Sequence, residues 1–166
     1  MVIPGSWFRI VSKRRTRRQV LPSQRGRFHD DPQAEPTSYV ADSILTAWLE
    51  VTAHIGIAPA NPEAFRAWQL DLSAVALVDL RSARKQSRWQ IGSVELLADP
   101  AAVRCKEIAR AIRIERNCLG LVYESVRNRP QGICAVLFLE NFRKVPECEL
   151  VPDTRWKDFI SEVSSE

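Results

Sequence analysis

The chain has 166 residues, 45% of them hydrophobic and 27% charged, which suits one compact domain with its own core. No apolar run approaches the roughly 18 residues of a membrane span. The start, MVIPGSWFRIVSKRR, puts apolar residues before basic ones, the reverse of a secretion signal, so a cytoplasmic protein is expected. The net charge of +4 conceals a gradient. Before Asp30 there is no acidic residue, while Arg9, Lys13, Arg14, Arg15, Arg17, Arg18, Arg25 and Arg27 are all basic; from Glu140 onward the chain leans acidic.

SWFRIVS, residues 6–12, is predicted as a first strand, followed by a basic loop from Lys13 to Gln24. GRFHDDPQAEPTS is rich in turn formers and leads to a short strand around SYVA. Asp42 or Ser43 can cap a helix over ILTAWLEVTAHI, which is apolar round most of its circumference and ends at Gly56. FRAWQLDL and AVALVDL read as two strands, and RSARKQSRWQIG as a charged connection with a short helix. Asp99–Pro100 opens a helix through AAVRCKEIARAIRIER, with Val103, Glu107, Ile108, Ala111 and Ile112 as its inward stripe. GLVYESV and ICAVLFL form a hairpin across NRPQG. With no repeat and no low-complexity tract, residues 1–166 read as a single α+β domain, with its core at about 7–142 and an acidic tail after it.

Cys105, Cys118, Cys134 and Cys148 form no CxxC pair and are read as isolated thiols in a reducing compartment. The only histidines are His29 and His54, so no metal site is expected. There is no GxSxG elbow, P-loop or GxGxxG.

Three places break local rules, and such places tend to be functional. Glu50 lies in the middle of an apolar helix, where a carboxylate is costly to desolvate unless it is paired or used. Arg27 follows Gly26, which permits close backbone approach beside a guanidinium able to grip phosphate or carboxylate. On strand alternation Tyr123, Ser125 and Arg127 share one face, a polar edge that a purely structural strand would not need. Arginine, aromatic ring, carboxylate and hydroxyl together suit chemistry at a sugar carbon bearing a positively charged leaving group, with the carboxylate steadying an oxocarbenium-like transition state.

The order FRI, GRF, SYVADSILTAWLE and GLVYESVR resembles the RES domain family, toxins of bacterial toxin–antitoxin pairs, over roughly Trp7 to Phe142. The resemblance implies an ADP-ribosyltransferase-like α+β fold with a central split β-sheet flanked by helices and a NAD cleft between its two parts. It implies cleavage of the nicotinamide–ribose bond of NAD, a substrate rather than a resident cofactor, with phosphate or water as acceptor. It places the family's arginine on Arg27, its aromatic on Tyr39, its glutamate on Glu50, its serine on Ser125 and a first-strand arginine on Arg9. In that reading Arg27 and Arg9 hold the diphosphate and Tyr39 stacks on nicotinamide or its ribose. Glu50 stabilises the cation, Ser125 positions the ribose, and Arg127 joins the binding set. The implied partner is an Xre-like antitoxin covering the cleft, with nucleic acid met only through it and no membrane.

GRFHDD lacks the asparagine–proline common after the family's arginine, KRRTRR is unusually basic, and 81–97 does not align. The alternatives are a protein-modifying ADP-ribosyltransferase and a non-catalytic nucleic-acid-binding module using Arg14, Arg15, Arg17 and Arg18.

Overall fold

The computed structural model describes residues 5–23, 26–29, 31, 33–55, 61–90, 103–115 and 118–163. Arg25, Gly56 and the Asp99–Pro100 helix start lie outside them. In chain order the elements are β1 (Ser6–Ser12), β2 (Thr37–Ala41), α1 (Ile44–Ile55), β3 (Phe65–Asp71), β4 (Val78–Asp79), α2 (Ala83–Arg88), α3 (Val103–Ile114), β5 (Gly120–Glu124), β6 (Ile133–Phe138), β7 (Cys148–Leu150) and α4 (Asp153–Val163).

The strands form one seven-stranded sheet in the order β4-β5-β6-β2-β1-β3-β7, antiparallel throughout except for the β4–β5 pair. Its middle is its weakest seam. β1 runs alongside β3 from Ser6↔Asp71 to Ser12↔Phe65, and β2 alongside β6 from Thr37↔Phe138 to Ala41↔Cys134. Between β1 and β2 only Phe8↔Ala41 is in register. The single seven-stranded sheet is thus joined at one point in its middle, the split that the family resemblance implies.

Alternation along the strands feeds two cores. On one face Ile10, Ala41, Tyr123, Val136 and Phe138 pack with Trp48 of α1, Ile108 and Ile112 of α3, and Trp156 and Ile160 of α4. On the other, Trp7, Val11, Val40, Val122 and Leu137 pack under Val20 and Leu21 of the segment after β1. Trp48 meets Phe65 edge to face at 5.5 Å and Trp156 at 6.0 Å.

Helix α1 starts at the capping serine: Ser43 Oγ accepts the Thr46 N–H at 3.1 Å. Four expectations need correction. The buried stripe of α3 is Cys105, Ile108, Ala109 and Ile112, while Val103 and Ala111 are exposed. Cys105, Ile108, Ala109 and Ile112 follow i, i+3, i+4, i+7, so that face turns inward. The strand in AVALVDL shortens to Val78–Asp79, because Val75 and Leu77 are buried by packing, not by pairing. The Lys13–Gln24 loop contains a turn of 3-10 helix at Arg17–Gln19. The core also runs past residue 142: β7 pairs with β3, and Val151, Trp156 and Ile160 are buried. Acidic composition masked an amphipathic helix whose Lys157 pairs with Glu63 and Asp153 at 2.8 and 2.7 Å.

Candidate active site

A cleft of about 550 Å3 opens along the seam where β1 and β2 part, a size typical of small-molecule sites. β1 contributes Phe8, Arg9 and Ile10, and β2 contributes Tyr39, Val40 and Ala41. Helix α1 lies along it and presents Ala47, Glu50 and Val51, the i, i+3, i+4 face of its second turn.

Glu50 is half-buried, and its Oε1 accepts a hydrogen bond from Ser125 Oγ at 2.7 Å. The Cys134 thiol approaches the same oxygen at 3.8 Å. Burial, then the Glu50 charge, pushes the Cys134 thiol well above its ordinary pKa, so it is a neutral donor and not a nucleophile. Ser125 follows the last residue of β5 and is wholly buried. Its Oγ also accepts the N–H groups of Arg127 and Asn128 at 3.1 and 3.0 Å, a local turn that fixes the hydroxyl's direction. Asn128 in turn donates to Thr46 on α1 at 2.9 Å. Ser125 therefore stands behind Glu50 and does not line the cleft. It is a positioning residue.

Ser125→Ala should remove the hydroxyl partner of one carboxylate oxygen and of two partly buried N–H groups, at a cost of about 1–3 kcal/mol. Thermal unfolding would read that loss. A Ser125→Ala protein as stable as wild type would remove Ser125 from this role.

Opposite Glu50, Tyr39 is pinned by its phenol. Its Oη accepts the Phe28 N–H at 3.0 Å and lies 3.1 Å from His29 Nδ1. Burial pushes its pKa up, so the phenol is neutral. Arg27 is also buried, with its guanidinium 5.7 Å from the ring centroid of Tyr123, in cation–π range. Tyr123 packs against Phe28 at 5.2 Å and forms the cleft floor beside Cys134. Gly26 is there for close approach: a Cβ on it would lie 2.0 Å from Tyr39 Oη.

The structure thus gathers Arg27, Tyr39 and Glu50 around one cleft with Ser125 supporting the glutamate. Two other candidates lie differently. Arg9 alternates with Phe8 and Ile10, and its side chain bonds Val20 O, Tyr39 O and Ser23 Oγ, the last at 2.8 Å. It satisfies the Tyr39 carbonyl where the β1–β2 ladder is missing, which makes it a strut of the cleft wall. Arg127 is exposed and outside the cleft, because β5 ends at Glu124 and alternation stops with it. Residues not singled out for the site, Arg15 and Cys134, line it. Cys134 was findable from the hairpin register, which sets it opposite Tyr123.

The basic segment disperses over the surface. Lys13 lies 3.6 and 3.8 Å from Glu63 and Asp153, Arg17 bonds Cys148 O at 3.3 Å, and Arg15 turns to the cleft. Among the described residues all four cysteines are free thiols, and no group of three or more His, Cys, Asp or Glu could hold a metal. No helix among them is long and apolar enough to cross a membrane.

No curated protein matches this chain. Among solved structures, a chain of the crystal structure of the M. tuberculosis MbcT–MbcA toxin–antitoxin complex is similar in fold. Its TM-score is 0.71 at 16% identity, covering 95% of this chain and 89% of that one. The family model of the RES domain matches residues 6–157, taking in β1, the whole cleft and the start of α4. The chain belongs to the RES domain family.

Proposed function

We propose that this protein is the toxin of a toxin–antitoxin pair and acts by breaking the nicotinamide–ribose bond of NAD. The observation that carries the reading is Glu50: a carboxylate oriented by a buried serine and facing a ligand-sized cleft whose other walls hold Tyr39 and Arg27. In the reaction the C1′–N bond breaks and nicotinamide leaves with the bonding electrons as a neutral base. The positive charge passes to the ribose as an oxocarbenium ion, which the Glu50 carboxylate stabilises. Phosphate or water then bonds to C1′, and water gives up a proton in doing so. Tyr39 offers an aromatic face to the nicotinamide end, and Arg27 a guanidinium to the phosphates.

An enzyme that drains NAD endangers the cell that makes it, so we assign the chain an antitoxin partner that covers the cleft, an Xre-like protein that would carry any contact with nucleic acid. The fold relative is itself found in a toxin–antitoxin complex.

Purified protein incubated with NAD should release nicotinamide, followed by chromatography in buffers with and without phosphate. A faster release with phosphate and a phosphorylated ADP-ribose product identify phosphate as acceptor. Label transferred from NAD to protein would redirect the reading to a protein ADP-ribosyltransferase. NAD left intact in every buffer would end the enzyme reading.

A further inference from the structure

Three arginines reach the cleft, and their donors are spent differently. Arg9 gives Nε, Nη1 and Nη2 hydrogens to Val20 O, Tyr39 O and Ser23 Oγ. Arg27 lies against the Tyr123 ring. Arg15 comes from the segment after β1 and is anchored at one end: Nη1 donates to Gln19 O at 3.1 Å and to Pro22 O at 2.9 Å. Those two bonds use both Nη1 hydrogens. Among the described residues the Nε and Nη2 donors of Arg15 have no partner, and neither Arg15 nor Arg9 pairs with a carboxylate.

The Nε–Nη2 edge is the fork that matches two oxygens of a phosphate or carboxylate. Its backbone anchors hold the guanidinium in place before any ligand arrives, so little side-chain entropy is lost on binding. The two arginines also feel each other. Arg9 is lowered to about pKa 10 by burial and then by the positive charge of Arg15. Two like charges that sense each other repel, and an anion bound between them would relieve the repulsion.

We infer that Arg15 is a second diphosphate-gripping arginine of the cleft beside Arg27, binding two phosphate oxygens through its Nε–Nη2 edge, with Arg9 serving as the strut that holds β1 and β2 around it. The inference deepens the NAD reading and rests on it for the source of the diphosphate. The KRRTRR segment is then functional at one position, where its backbone turns Arg15 inward.

Calorimetric titration with inorganic pyrophosphate tests the grip without relying on turnover. Wild type should bind, Arg15→Gln should bind about tenfold or more weakly, and Arg15→Lys should recover only part, since an ammonium keeps the charge without the fork. Arg9→Gln should lower the unfolding temperature well beyond any change that Arg15→Gln produces. With NAD, Arg15→Gln should raise KM more than it lowers kcat. An Arg15→Gln isotherm like wild type, or no pyrophosphate binding by wild type, overturns the inference even if NAD is cleaved. Pyrophosphate binding lost in Arg15→Gln by a wild type that leaves NAD intact would keep the anion grip and discard the NAD reading.

Discussion

Glu50→Gln is expected to slow nicotinamide release from NAD by about 10²–10³-fold while leaving the protein folded. The two side chains have the same shape, and the amide oxygen of glutamine can still accept the Ser125 hydroxyl that now bonds Glu50 Oε1 at 2.7 Å. What disappears is the negative charge. In the ground state that charge has little to act on, because the nicotinamide nitrogen carries its positive charge within an aromatic ring. In the proposed reaction the charge moves onto the ribose as the C1′–N bond breaks, so the loss belongs to the transition state and to kcat. The same substitution separates toxicity from mere overexpression. Wild-type chain expressed alone should arrest growth and deplete NAD, Glu50→Gln should do neither, and co-expression of the antitoxin should protect. If Glu50→Gln releases nicotinamide at the wild-type rate, the carboxylate has no part in the chemistry and the cleft needs another reading.

The strands and helices that carry the site were legible because their signals are local. Alternation in SWFRIVS and the hairpin of GLVYESV and ICAVLFL were enough for β1, β5 and β6. A run of twelve residues beginning after a capping serine was enough for α1. Glu50 stood out because it was the wrong residue for its surroundings. Two kinds of statement were not legible. One depends on where a side chain's donors go. Arg9 and Arg15 look alike as basic residues near β1, and only the carbonyls around them decide that Arg9 closes a gap between strands while Arg15, among the described residues, keeps an edge free. The other depends on where regular structure stops. Arg127 would share a face with Tyr123 if the strand continued, but the turn built on Ser125 swings it into solvent. The C-terminal helix was missed for a related reason: its charges dominate its composition, and its burial rests on Trp156 and Ile160, spaced one turn apart.

Gly26→Ala should be nearly as damaging as a change to the carboxylate, although it adds a single methyl group. The new Cβ would lie 2.0 Å from Tyr39 Oη and 2.1 Å from its ring carbon Cζ, far inside contact distance. A clash with the tip of a surface side chain would be relieved by a rotation, but this tip is fixed. Its oxygen is bonded to Phe28 N–H and neighbours His29 Nδ1, and its ring lies 6.5 Å from Phe28 and 5.9 Å from His29. Either the loop carrying Arg27 and Phe28 moves out or Tyr39 leaves its place against the cleft. Overpacking of this kind costs about 1–3 kcal/mol, and displacing a substrate-facing group by about 1 Å can cost up to about 10²-fold in turnover. A double-mutant cycle separates the two routes. If the methyl acts through Tyr39, then Gly26→Ala should cost little more in a Tyr39→Ala background, where the ring is already gone, and the pair should be strongly non-additive in both stability and nicotinamide release. If the two substitutions add, the methyl acts through the loop backbone instead, and Gly26 serves to place Arg27 and not to make room for Tyr39.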